Sequence, residues 1–257
     1  MMANTNTVLS ARGINKRFGA VVAADDINID VPRGQTLSLI GSNGAGKTTF
    51  VNMVTGYLKP DEGQILLDGE DITALGPRQI TRKGVSRSFQ IPQLALEMSV
   101  LDNMLVAKAC GEGVLSFWQS AHHPTRIEQA MDLLTRFDLA EHAGRKVAEL
   151  PGGVRKLLDI AMAMTGRPKL LLLDEPTSGV SVSEKYPMMD TISEALGASD
   201  VTVLFVEHDM DIVTRYADRI VAFYSGTILA DGNPADVLAD DRVKLHVTGQ
   251  AVASGEA

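Results

Sequence analysis

The most constraining feature of the sequence is a glycine-rich segment at residues 41–48, which reads G-S-N-G-A-G-K-T and matches the pattern G-x-x-x-x-G-K-[ST] in full. It follows an apolar run at 36–40 that predicts a short buried strand, and a helix is predicted from Lys47 to about Thr55, with Gly56 as its stop signal. Glycines lack a Cβ, so the backbone N–H groups of such a loop can point inward at phosphate oxygens, while the helix aims its positive end at the same anion. The segment therefore predicts an α/β fold with a phosphate-binding loop between a strand and a helix.

Two side chains at the end of this segment have specific expected roles. Lys47 would reach the β- and γ-phosphates of a nucleoside triphosphate, and the Thr48 hydroxyl would ligate Mg²⁺. A glycine-rich turn that contains a lysine by chance is the alternative interpretation, and the strand and helix on either side disfavour it. The segment thus predicts a bound nucleoside triphosphate with Mg²⁺. The residues expected to contact the nucleotide in this segment are Gly41, Ser42, Asn43, Gly44, Ala45, Gly46, Lys47, Thr48 and Thr49.

The rest of the chain alternates between strand and helix patterns. Apolar runs at 169–173 and 201–206 predict buried strands on either side of a helical stretch at 184–196, which is typical of a parallel sheet. The opening region, with its alternation at 27–31, and the stretch 220–230 both favour antiparallel pairing. Between about 99 and 165 the period is helical. Core packing is expected for one apolar stripe, formed by Ile127, Ala130, Met131, Leu134 and Phe137.

Composition limits the classes of partner and compartment. The formal net charge is −8, which disfavours a duplex-DNA partner because phosphate backbones favour a basic face. Cys110 is the single cysteine, so no intramolecular disulfide can form and a reducing compartment is expected. The polar start of the sequence does not resemble a signal peptide, and the longest apolar runs are too short to cross a bilayer. We therefore expect any work at a membrane to proceed through a partner.

A second chemical motif is the apolar run at 170–173 that ends in Asp174, Glu175 and Pro176. The motif alone fits equally well an apolar strand with a polar end. In a chain that also carries the phosphate loop, it predicts a strand that places Asp174 near the magnesium shell and Glu175 near the attacking water. A general base must reach a water in line with the γ-phosphate, so Glu175 is the expected catalytic base.

A third motif, L-P-G-G-V at 150–154, precedes a helical run at 155–165, and its alternative is a simple turn before a helix. The three motifs in this order resemble the ATP-binding cassette (ABC) family, and the resemblance covers roughly residues 9–238. It implies that Phe18 stacks on adenine, that Gln90 senses Mg²⁺ and water and links to the transporter, and that His208 hydrogen-bonds the γ-phosphate. Considered singly, these three would be a core aromatic residue, a loop residue and a surface histidine.

The same resemblance implies an architecture: a P-loop NTPase core with a parallel sheet, an N-terminal antiparallel β subdomain and an inserted α-helical subdomain. We expect a single ABC ATPase domain at 8–247, with the helical subdomain at about 91–165 and disordered tails at 1–7 and 248–257. Metal ligands would be Thr48, Gln90 and Asp174. Catalysis would involve Glu175, His208, Gln90 and Lys47.

In the family, each ATP lies between the phosphate loop of one subunit and the signature of another, here Pro151, Gly152 and Gly153. The implied partners are a second ATPase subunit (in a homodimer or heterodimer), transmembrane permease subunits and, indirectly, a solute-binding protein, but no nucleic acid. The implied location is peripheral, on the cytoplasmic side of the plasma membrane. The family usually has serine at the position of Pro151 and glutamine at that of Val154, so we expect a weakened contact with the γ-phosphate. Ser181 replaces a common aspartate in a loop that serves communication across the dimer.

The branch of the family is suggested by the segments 86–90 and 206–210 and by an extra stretch at 107–127 that includes Phe117 and Trp118. These are similar to ATPases of branched-chain amino acid importers. Importers of urea, amides and small aromatic or carboxylic acids look much the same. The lipopolysaccharide-export ATPase is a near relative with a shorter helical subdomain, and importer function is favoured.

Two rival functions stay open at this point: a soluble cassette ATPase that acts on nucleic acid, and a degenerate regulatory subunit. A metal site is not expected at Cys110, His122 and His123, because their spacing matches no standard zinc pattern.

Overall fold

The structure is a computed structural model that describes residues 6–112 and 122–249. The chain divides into two compact units: unit 1 comprises Met1–Lys83 and Thr202–Ala257, and unit 2 comprises Gly84–Val201. None of the helices in the described ranges combines the length and the apolar character that crossing a bilayer requires. The regular elements run from Thr7 to Thr248, one residue further at each end than the domain expected from the sequence.

In chain order the elements are β1 (Thr7–Phe18), β2 (Val21–Pro32), β3 (Thr36–Gly41), α1 (Lys47–Val54), β4 (Glu62–Leu67), β5 (Glu70–Asp71), α2 (Pro77–Arg82), β6 (Val85–Ser88), α3 (Val100–Glu112), α4 (Pro124–Arg136), α5 (Gly152–Met164), β7 (Leu170–Asp174), α6 (Val182–Gly197), β8 (Thr202–Val206), α7 (Met210–Tyr216), β9 (Arg219–Tyr224), β10 (Thr227–Gly232), α8 (Pro234–Ala239) and α9 (Asp241–Val243).

Unit 1 contains the antiparallel sheet that the opening region of the sequence predicts. Its strands are ordered β2-β1-β4-β5, and every neighbouring pair is antiparallel. The alternation at 27–31 is confirmed, because Ile27, Ile29 and Val31 of β2 are buried while the residues between them are more exposed. One face of this sheet therefore belongs to the core of unit 1.

A second group of strands in unit 1 supports the phosphate loop. β3 pairs in parallel with both β8 and β9, and β9 continues into an antiparallel pairing with β10. The strands predicted at 36–40 and 201–206 are therefore confirmed to within a residue. The antiparallel stretch predicted at 220–230 is confirmed as the pair β9 and β10, which spans 219–232. Because β3 ends at Gly41, the glycine-rich loop leaves the carboxyl end of a parallel strand, which is where ligands bind in open α/β sheets.

Among the residues that the structure describes, unit 2 combines a parallel strand pair with four α-helices. β6 and β7 pair in parallel, with Val85 opposite Leu170 and Ser88 opposite Leu173. The helices α3, α4, α5 and α6 pack on one another. Ala130, Leu134 and Phe137 from the predicted apolar stripe are buried, which confirms its role in packing. Phe117 and Trp118 lie outside the described residues.

Candidate active site

Two of the three glycines in the loop between β3 and α1 cannot be replaced without a clash. Gly41 has a φ of +151°, and a Cβ there would lie 2.5 Å from the carbonyl oxygen of Phe223. Gly46 has a φ of +111°, and a Cβ there would lie 2.5 Å from the carbonyl oxygen of Ala23. Gly44 also has a positive φ, +79°, but a Cβ there would meet nothing within 4 Å among the described residues. Glycine is therefore required at 41 and 46 by neighbouring backbone as well as by dihedral angle.

Lys47 places a positive charge over this loop. The side chain is only 5% exposed, and its Nζ donates to the carbonyl oxygens of Gly41 at 2.6 Å and of Ser42 at 3.1 Å. Lys47 is also the first residue of α1, whose first turn carries no acidic residue and has no side-chain cap. The ammonium group and the N–H groups of the first helical turn, which have no partner within the helix, therefore add positive potential at one place. Such a place suits an anion such as a phosphate. Thr48, the next residue, is exposed.

Two other expected nucleotide contacts of unit 1 lie at strand ends. Phe18 is the last residue of β1 and is 50% exposed, so it is not a core residue, and the Lys16 ammonium lies 5.7 Å from its ring centroid. His208 is exposed and lies two residues beyond the end of β8. The buried Glu207 carboxylate accepts a hydrogen bond from the backbone N–H of His208 at 3.0 Å. This bond fixes the backbone that carries the imidazole.

Unit 2 brings together two of the expected catalytic residues. Gln90 lies two residues beyond β6 and Glu175 one residue beyond β7, and because these strands are parallel neighbours, both residues emerge at the same edge. The Gln90 Nε2 donates to the Glu175 Oε2 at 2.6 Å. Glu175 has a φ of +47°, a left-handed conformation that costs free energy for a residue other than glycine. Such strain in the backbone is found most often at functional positions.

Asp174, the last residue of β7, is paired with a residue that the sequence analysis missed. The Arg87 Nη2 donates to the Asp174 Oδ2 at 2.5 Å, and the two side chains are only 8% and 14% exposed. The Arg87 guanidinium also lies 4.8 Å from the ring centroid of Phe89. The carboxylate has oxygen atoms of the type that Mg²⁺ prefers, and the guanidinium compensates its charge in this structure. The signal for Arg87 is its place in β6, the strand that leads to Gln90.

The signature residues form the start of α5. Pro151 is the N-cap, with φ −58° and ψ 157°, and it makes no side-chain capping hydrogen bond. Pro151 and Gly152 are exposed, whereas Gly153 is half-buried near Val180. The N–H groups of this first turn are therefore presented at an open helix end.

The residues considered for a separate metal site do not converge. Cys110 is exposed, and the His122 Nε2 lies 3.0 Å from the Asp102 Oδ1. Across the part of the chain that the structure describes, no group of three or more histidine, cysteine, aspartate or glutamate residues is arranged to hold a metal ion. The expected Mg²⁺ ligands are a hydroxyl in unit 1, that of Thr48, and amide and carboxylate oxygens in unit 2, those of Gln90 and Asp174. Oxygen atoms of these types are the ligands that this ion prefers.

Comparison with known proteins gives concordant matches. The family model described as ABC transporter matches residues 24–178. The chain is 36% identical over 253 residues to the high-affinity branched-chain amino acid transport ATP-binding protein LivG of Escherichia coli strain K12, covering 95% of this chain and 98% of that protein. It is 37% identical over 251 residues to the corresponding protein BraF of Pseudomonas aeruginosa, covering 95% of this chain and 98% of BraF.

Solved structures agree with the sequence relatives. The crystal structure of an ATP-binding cassette of an ABC transporter in its ADP conformation superposes with a TM-score of 0.83 at 35% identity, covering 92% of this chain and 96% of that one. A nucleotide-free ATP-binding cassette from an ABC transporter gives a TM-score of 0.82 at 34% identity, covering 92% and 97% of the two chains. The fold class expected from the sequence is thereby confirmed.

Proposed function

Because this chain belongs to the ABC transporter family, we propose that it is the ATP-binding and ATP-hydrolysing subunit of an ABC importer. The solute is a branched-chain amino acid or a related small polar molecule, which the names of the E. coli and P. aeruginosa relatives support over a lipopolysaccharide-type exporter. The observation that carries the proposal is the loop at 41–46, where glycines pack against backbone carbonyls and the Lys47 ammonium lies at a helix N-terminus.

Nucleotide binding is assigned to residues of unit 1. Lys47 and the N–H groups of residues 41–49 bind the β- and γ-phosphates, because positive charge and backbone N–H donors are concentrated there. The half-exposed ring of Phe18 stacks on adenine. His208 hydrogen-bonds the γ-phosphate, held by the backbone contact of its neighbour Glu207.

Hydrolysis is assigned to Glu175, which orients the attacking water and accepts its proton. Gln90 is hydrogen-bonded to this carboxylate, so it can hold the base in one orientation. Thr48, Gln90 and Asp174 are the expected ligands of Mg²⁺, which neutralises charge on the phosphoryl oxygens when it is bound. Asp174 accepts a hydrogen bond from Arg87, and its carboxylate is the type of oxygen ligand that Mg²⁺ prefers.

The exposed position of the signature supports assembly with a second subunit. A second ATPase subunit, identical or different, completes each ATP site with the N–H groups of Gly152 and Gly153, next to Pro151. The dimer works on the cytoplasmic face of the membrane with permease subunits, and a solute-binding protein delivers the solute. We assign this activity to the domain at 8–247, with residues 91–165 as its helical subdomain.

The decisive experiment compares binding and hydrolysis in Glu175→Gln. This variant keeps the size and polarity of the side chain but cannot accept a proton, so phosphate release should fall by about a hundredfold or more. Its affinity for a fluorescent ATP analogue should match that of the unaltered protein, whereas Lys47→Ala should lose that binding. Glu141→Gln is the matched control. The substitution is chemically the same, but the Glu141 side chain is 81% exposed on the surface of the same unit.

Two results would contradict the proposal. Normal turnover in Glu175→Gln would remove the assigned base, and unchanged nucleotide affinity in Lys47→Ala would remove the assigned phosphate site. Stimulation of turnover by reconstituted permease subunits in vesicles, but not by DNA, is the expected outcome for the importer role.

A further inference from the structure

Lys156 is a buried ammonium group that the roles assigned above do not use. It lies on α5, four residues after Gly152, and is only 3% exposed. Its Nζ donates to the carbonyl oxygens of Phe89 at 2.8 Å and of Gln90 at 2.9 Å. A third carbonyl oxygen, that of Asp174, lies at 3.4 Å. One charged group therefore contacts the backbone that carries Gln90 and the backbone that precedes Glu175.

Asp159 contacts the same segment from one helical turn further along α5. It is 7% exposed, and its carboxylate accepts hydrogen bonds from the Ser88 hydroxyl at 2.5 Å and from the backbone N–H of Gln93 at 3.2 Å. Residues three apart lie on one face of a helix, so Lys156 and Asp159 contact residues 88–93 together. We call this pair and its contacts the α5 clamp.

We propose that the α5 clamp positions Gln90 against Glu175 and links that pair to the signature at the start of α5. This inference rests on the proposed function, because it assigns the pair a part in ATP hydrolysis. Lys156 and Asp159 are positioning residues: they act through Gln90 and Glu175.

The α5 clamp uses buried charged groups where packing alone would require only apolar side chains. Burying an ammonium or a carboxylate is unfavourable, and apolar side chains of similar volume often stabilise a fold equally well. A charged donor to two carbonyl oxygens, by contrast, fixes direction, because such hydrogen bonds are short and strongly oriented. The clamp therefore fixes the backbone carbonyl groups of residues 89, 90 and 174. These backbone positions set the 2.6 Å contact between the side chains of Gln90 and Glu175.

The position of Lys156 on α5 also gives a route for coupling. Four residues of α-helix span about 6 Å, or roughly one turn, and a helix moves as a rigid element over that length. A displacement of Gly152 when a partner's nucleotide binds would therefore be transmitted to the carbonyl oxygens that Lys156 holds. Gln90 and Glu175 would respond to the state of the signature in the same subunit.

The test measures turnover, nucleotide affinity and backbone exchange in Lys156→Met, which keeps the length of the side chain and removes its charge. We expect kcat to fall about tenfold to a hundredfold, as a displacement of about 1 Å in catalytic groups would cause. Nucleotide affinity should change less than about twofold, because the binding loop belongs to unit 1. Lys156→Arg should recover part of kcat, and Lys146→Met, at a side chain that is 57% exposed, should behave like the unaltered protein.

Hydrogen exchange without nucleotide separates this inference from the proposed function. In Lys156→Met, the amides of residues 89–93 should exchange about tenfold faster while those of 41–48 are unchanged, since local opening sets these rates. If Lys156→Met exchanges faster at residues 89–93 but the unaltered protein hydrolyses no ATP, the clamp is retained and the proposed function is refuted. A normal kcat in folded Lys156→Met would refute the positioning role while ATP hydrolysis stands. Should Lys156→Met fail to fold, Ser88→Ala decides: a several-fold lower kcat supports the clamp, and an unchanged kcat overturns it.

Discussion

Gly46→Ala tests whether the phosphate loop is held in shape by its neighbours. The added Cβ would lie 2.5 Å from the Ala23 carbonyl oxygen, well inside the roughly 3.5–4.0 Å at which non-bonded heavy atoms attract. Because that oxygen belongs to the backbone of β2, it cannot turn away as a flexible side chain could. A φ of +111° adds a conformational penalty, since left-handed backbone costs about 1–2 kcal/mol outside glycine.

The control for this prediction is Gly44→Ala, which shares the positive φ but adds a Cβ to open space among the described residues. Gly44→Ala should therefore lose only about 1–2 kcal/mol in free energy of unfolding. Gly46→Ala should lose roughly 1–3 kcal/mol more, the usual cost of overpacking. Urea denaturation followed by circular dichroism measures both. If the two variants unfold at the same urea concentration, the contact with Ala23 does not constrain the loop and the reasoning is wrong.

Two further predictions concern one buried and one exposed side chain. Burial raises the pKa of the Asp159 carboxyl above its usual 3.8, and the hydrogen bond from Ser88 offsets this effect only in part. The stability that the raised pKa contributes is therefore present below about pH 4 and is lost as the pH rises through the raised pKa. In urea titrations, the free energy of unfolding of Asp159→Asn minus that of the unaltered protein should therefore increase from pH 4 to pH 7, and a constant difference would contradict this. Phe18→Ala should change stability by no more than about 0.5 kcal/mol, because the ring is half-exposed, yet weaken binding of a fluorescent ATP analogue by roughly 1–3 kcal/mol, as loss of base stacking does. Tyr57→Ala, at a side chain that is 59% exposed in the same unit, is its control, and equal affinity in the two variants would remove the adenine role.

Elements with a strong local pattern were predictable from the sequence. The apolar run before Gly41, the alternation in β2 and the helical period in α4 each depend on neighbours a few residues away, and all three match the structure. The requirement for glycine at 46 was predicted only in part. The sequence supplies the need for a free backbone, whereas the clash with Ala23 depends on how β2 lies beside the loop.

Contacts between distant parts of the chain account for what the sequence did not reveal. Arg87 is 87 positions from Asp174, and Lys156 is 67 positions from Phe89. The local sequence does not distinguish such residues from surface charges. Arg87 is a charged residue in a short strand, and Lys156 is a charged residue in a helix that begins after a turn. Their pairing arises only when β6 and β7 become neighbours and α5 packs on them. Residue type gave the candidate chemistry, and topology decided the partners.

The packing of unit 2 does not explain why the signature departs from the family pattern. Pro151 has a φ of −58°, which the proline ring favours, and it lies at an N-cap, where no intrahelical N–H bond is lost. A Cβ at the next residue, Gly152, would meet nothing within 4 Å among the described residues. Packing within unit 2 therefore does not demand these residues, and proline does not disturb the start of α5. The consequence of Pro151 is confined to chemistry: the serine hydroxyl typical of the family is absent, while the N–H groups of Gly152 and Gly153 stay at the helix N-terminus. A nucleotide bound there would depend on backbone donors and the helix dipole, which the α5 clamp holds in register with Gln90.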